Sequence, residues 1–161
     1  MAIQIVITYI GDAAVQAREL KGAVARGMAW AIQWWHRNVL RGHFQAGASG
    51  KYSYEPRTEK YRLRKFKKLG HNTPLVYTGA LREQTIRSLS LAPLKTKAEA
   101  TGRMKAPRYA YMTPTAKYKH SLGAEVSATV QAELDTMAEL THRRATRELN
   151  ELKQQRVVTV T

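Results

Sequence analysis

The chain has no cysteine among its 161 residues. That excludes a disulfide scaffold, a thiolate zinc site, an iron–sulfur cluster and a cysteine nucleophile. Acidic residues are scarce: 12 Asp and Glu stand against 27 Lys and Arg, a net charge of +15. Paired carboxylates for acid–base work are correspondingly hard to find. The most apolar stretch, Gly27 to Trp35, is nine residues long and contains Gln33. A membrane-spanning helix needs about 20. The start, Met1-Ala2-Ile3-Gln4-Ile5, lacks the basic opening of a secretory signal. These absences give the expectation of a soluble product of a reducing cytoplasm with no membrane partner.

Hydrophobic residues at 43% and charged residues at 24% describe a globular chain. Its length suits a single domain, 1–161, which buries roughly 70% of its unfolded surface. A balance this basic points to a polyanion, an acidic protein surface, or an assembly of opposed charges.

Ile3, Ile5, Ile7 and Tyr9 alternate with polar residues and predict a strand over 2–10. Asp12 can cap the helix that follows, expected from about 13 to 45. On it Leu20, Val24, Met28, Ala31, Ile32, Trp35 and Val39 span an arc of roughly 120°. Trp30 and Trp34 fall on the shoulder of that arc. Gly22, Gly27 and Gly42 each cost about 1 kcal/mol in a helix, so tertiary packing must hold it, and Gly42 marks a candidate end.

Residues 46–73 read as a long, flexible basic loop, within which 58–68 can form a short helix. From Lys51 to Lys68 there are eight basic, two acidic and four aromatic residues. Tyr52, Tyr54, Arg57, Lys60, Tyr61, Arg62, Arg64, Lys65, Phe66, Lys67 and Lys68 are its candidate contacts. One reading is a polyanion grip, with cations on phosphates and aromatics on bases. The other is a segment packed on a neighbouring subunit, with Trp30 and Trp34 as further anchors.

Thr78 to Glu83 is a cap and a helical turn. Ser88–Leu91 and Lys95–Met104 predict two strands joined around Ala92-Pro93, and Tyr109–Met112 a third. A second long helix is expected over 124–154, with Val126, Val130, Leu134, Met137, Thr141, Ala145, Leu149 and Leu152 as its stripe. Val157–Thr161 is a last strand candidate. The fold class is therefore α+β: a small, mostly antiparallel sheet packed with two long helices, the basic loop lying between the first helix and the sheet.

No catalytic pattern emerges. None of the five histidines forms an HExxH pair. Gly50-Lys51 lacks the earlier glycine and the following hydroxyl of a phosphate loop, with Gln45 and Tyr52 in those places. No G-x-S-x-G elbow is present. The expectation is a non-enzyme with no metal and no cofactor.

Over Tyr54-Glu55-Pro56-Arg57-Thr58-Glu59-Lys60-Tyr61 and Pro74-Leu75-Val76-Tyr77-Thr78-Gly79-Ala80-Leu81-Arg82 the chain resembles the neck and tail-completion proteins of tailed bacteriophages. The order of elements over about 12–150, and the later Pro107-Arg108-Tyr109-Ala110-Tyr111, fit the same group. Met112-Thr113-Pro114-Thr115 departs from it, lacking the acidic residue that often follows. The resemblance implies a virion structural protein, a tail terminator or head–tail connector, made in the host cytoplasm. It implies a homo-oligomeric ring, commonly hexameric, that joins neighbouring neck, connector or tail proteins around the path of DNA. Thr78, Gly79, Leu81 and Arg82 then form a fold motif: Thr78 caps, Gly79 permits a tight backbone, and Leu81 with Ile86 reaches the core. The runner-up function is a sequence-independent nucleic-acid-binding module that uses the basic loop.

Overall fold

A computed structural model describes residues 17–111 and 121–157. The expected strand at 2–10, all but Val157 of the one at 157–161, the Asp12 cap and Met112–Thr115 lie outside the described residues. The fold is mostly helical α+β, with two long helices packed together with a two-stranded antiparallel sheet. It divides into two compact units.

The first unit holds most of helix α1 (Ala17–Asn38), strands β1 (Ser90–Leu94) and β2 (Glu99–Arg103), and most of the last long helix, Gln131–Val157. Val24 and Met28 lie four residues apart on α1, with Ala23 next to Val24. They meet Ala145 and Leu149 of the last helix, with Leu20, Ala98 and Ala100 packed against the cluster. Gly27 makes the approach possible: a Cβ there would stand 2.7 Å from the Thr141 carbonyl oxygen. Arg26 pairs with Glu148 across the same two helices.

The hairpin pairs Ser90 with Arg103 and Leu94 with Glu99. Its turn is Lys95–Ala98, closed by the Lys97 amide on the Leu94 carbonyl at 3.0 Å. The sequence places the turn at Ala92-Pro93. Instead Pro93 sits inside β1 opposite Ala100, tolerated because a two-stranded sheet leaves one side of each strand unpaired.

The second unit comprises His36–Leu89 and Met104–Glu133. After α1 the chain tightens into a 3-10 segment, Leu40–Phe44, rather than continuing the helix to 45. The Gly42 amide bonds the Val39 carbonyl and the Gln45 amide the Gly42 carbonyl, the shorter repeat of that helix type. Next come α2 (Ala48–Lys51), α3 (Glu59–Leu69) and α4 (Ala80–Arg87). Much of the expected loop is thus helical. Thr58 caps α3 by accepting from the Tyr61 amide, and Gly70 ends it at φ 72°. Gly79, at φ 83°, is the N-cap of α4, and the Thr78 hydroxyl accepts from the Ala80 amide at 3.4 Å. Leu81 is buried, Ile86 half-buried and Arg82 exposed.

Tyr109–Met112 is not a strand where it is described. Arg108–Tyr111 is a 3-10 turn, entered from Pro107, whose carbonyl accepts from the Ala110 amide at 2.9 Å. The expected helix from 124 is two helices, α5 (Leu122–Val126) and α6 (Gln131–Val157). Ser127 bonds its hydroxyl back to the Gly123 carbonyl and stops the first. Glu133 starts the second by accepting from the Val130 amide, as in a capping box. Val157, expected in a strand, ends α6.

Candidate interface

The basic-aromatic segment splits into an inward part and an outward part. Tyr52 and Tyr54 turn inward, 7% and 8% exposed, beside the wholly buried His43. The His43 and Tyr52 rings stack with centroids 3.8 Å apart. The Tyr54 hydroxyl lies 2.5 Å from His43 Nδ1, closer than the Glu125 carbonyl at 3.2 Å. Nδ1 thus faces both oxygens, the hydroxyl able to donate or accept and the carbonyl able only to accept. Burial pushes the His43 pKa down to about 4, against the weaker pull of the Glu125 carbonyl and Glu133. Burial likewise raises both tyrosine hydroxyls above their usual range.

Carboxylates close this cluster. Glu133 Oε1 accepts from Lys51 Nζ at 2.6 Å and from the Tyr52 hydroxyl at 2.9 Å. Burial alone would raise its pKa, but those two donors and the Val130 amide hold it below the usual value. Arg57 grips Glu125 with two parallel bonds, 2.9 and 2.5 Å long. Tyr52, Tyr54 and Arg57, expected among outward contacts, are thus committed to their own unit. Sequence reading gave no sign of the Tyr52–Glu133 and His43–Glu125 contacts, because the residues that meet are 81 and 82 apart.

Helix α3 carries the outward part. Tyr61, Lys65 and Leu69 repeat every four residues and face inward. Lys65 is only 5% exposed and donates to the Thr73 carbonyl. Desolvation, and then Arg57, lower its pKa. It is thus no surface cation, contrary to expectation. The opposite face presents Leu63 and Phe66, 64% and 56% exposed. Lys60, Arg62, Arg64, Lys67 and Lys68 are also exposed. Arg64 lies over the Tyr61 ring at 6.0 Å and Lys68 over Tyr77 at 5.5 Å.

On α1, Trp30 is 42% exposed while Trp35 is buried and Trp34 half-buried. An open depression of about 520 Å³ lies along α6, lined by His142, Arg143, Thr146, Arg147, Asn150 and Glu151 of that helix alone. Among the described residues there is no cluster of three or more His, Asp or Glu that could hold a metal ion, and no helix long and apolar enough to cross a membrane.

No protein-family model, curated protein or solved structure matches the chain.

Proposed function

We propose that this chain is a structural subunit of a tailed-phage virion, a ring-forming neck or tail-completion protein that works by assembly rather than turnover. The observation that carries the reading is Trp30. It stands partly in solvent on a helix whose other side already fills a core, and an exposed tryptophan of this kind suits an anchor in a neighbouring subunit. The Pro74–Arg82 signature supports the reading as a fold motif, since Leu81 is buried and Gly79 has a left-handed backbone. In this proposal the protein acts in the virion after synthesis in the host cytoplasm, beside neck, connector or tail proteins. Light scattering and electron microscopy of the purified chain should show closed rings. A sample that stays monomeric at every concentration overturns the ring.

A second reading, a sequence-independent nucleic-acid module, draws support from the exposed cations of α3. Its signature is an affinity for single strands that falls by orders of magnitude between about 50 and 200 mM salt. Binding that ignores salt removes it.

A further inference from the structure

Helix α3 inverts the usual amphipathic arrangement. A lysine faces the interior, while a leucine and a phenylalanine, each more than half exposed, face solvent. Glu59, Leu63 and Phe66 are spaced i, i+4, i+7 and share one stripe. Lys60 and Lys67 fall on one flank and Arg62 on the other. Among the described residues none of these four charges makes an ion pair. The helix is held from behind by Tyr61, Lys65 and Leu69, so its outer face is presented on a fixed support.

We propose that the Glu59–Leu63–Phe66 stripe docks a different protein, one whose complementary patch is apolar at its centre and acidic at its rim. Leu63 and Phe66 are anchors of the kind that fill pockets, and the flanking cations match an acidic rim. Phe66 could stack on a base, but an aliphatic Leu63 offers nothing to a base or a phosphate. Glu59 adds a second discrimination. Its carboxylate lies on the stripe itself, where it repels phosphates of nucleic acid or lipid yet can pair with a lysine or arginine of a protein. A second copy of this chain is a poor complement, because at +15 it has few acidic surfaces to offer. The inference goes beyond ring formation and does not depend on it, since it concerns a contact between unlike proteins.

The test selects a displayed random peptide library on the immobilised full-length chain. Enriched peptides should carry Asp or Glu around Leu, Ile, Met, Phe or Trp. They should bind the Leu63→Ser/Phe66→Ser variant roughly thirty-fold more weakly. A Lys60→Glu/Arg62→Glu/Lys67→Glu variant should lose them as well. Both variants should keep the thermal midpoint of the parent, because the altered side chains are exposed. The proposal is overturned by no enrichment, by enriched peptides without acidic residues, or by equal binding to the serine variant. It is overturned equally if oligo(dT), phosphatidylglycerol vesicles or self-association, rather than peptides, are what the serine variant loses. Particle size of the parent chain scores the ring separately.

Discussion

Protonating His43 would place a charge in the buried cluster, against the face of the Tyr52 ring and beside the Tyr54 hydroxyl. The folded-state pKa of about 4 lies below the ordinary value of 6.5. Between those values the unfolded chain binds the extra proton and the folded chain does not. Stability is therefore full above pH 6.5 and declines as pH falls toward 4, by on the order of 3 kcal/mol. Glu133 adds to this further down, because its lowered pKa keeps a contribution that is present above 4.5 and lost on stronger acidification. In denaturant titrations at a series of pH values, the advantage of the parent over His43→Gln should shrink steadily from neutral pH to about 4.5. A constant gap would show that His43 does not titrate in this way. None of this was legible in sequence. A histidine, two tyrosines and a glutamate have no local pattern when the glutamate arrives 81 residues after its tyrosine partner.

Periodicity carries elements further than single contacts. Met137, Thr141, Ala145 and Leu149 repeat every four residues, and all are buried on α6 as their spacing requires. On α1 the spacing of Val24, Met28, Ala31 and Trp35 picked out residues that are buried. The same logic fails on α3, where apolar residues belong inside by rule and Lys65 takes that place. A lysine stem is long enough to line the interior while its ammonium reaches a backbone carbonyl at the end of the segment. The glycines of α1 also divide in a way the sequence does not announce. Gly27→Ala would press a methyl group into the Thr141 carbonyl, a rigid backbone atom. The expected loss is about 1–3 kcal/mol, more than the ~1 kcal/mol gained in helix propensity. At Gly22 a Cβ meets only the tip of the Arg26 side chain, at 3.2 Å, which can swing away. Gly22→Ala should therefore match the parent in thermal unfolding or exceed it. If Gly27→Ala unfolds at the parent temperature, the close helix approach is not obligatory.

For the whole molecule, a charge of +15 opposes crowding identical chains together, so any homo-oligomer must draw on apolar contact. Trp30 is the residue of the first unit best placed for this, being large and 42% exposed. Trp30→Ala should cost the assembly about 2 kcal/mol per contact, seen as a shift of the dissociation midpoint on dilution. The isolated subunit should change by no more than about 0.5 kcal/mol in denaturant. Equal losses in both measurements would make Trp30 part of the subunit's own core.

The chain order of the two units has a consequence for synthesis. The second unit is built from residues 36–89 and 104–133, whereas the first draws its pieces from before, between and after them and includes Leu134 onward. On the ribosome, Lys51 and Tyr52 wait for a carboxylate until residue 133 emerges. At that moment the second unit has every one of its parts. The helix that completes the first is still inside the ribosome, so α1 spends translation without Ala145 and Leu149 over Ala23, Val24 and Met28. Those residues are where a nascent-chain chaperone would find its hold.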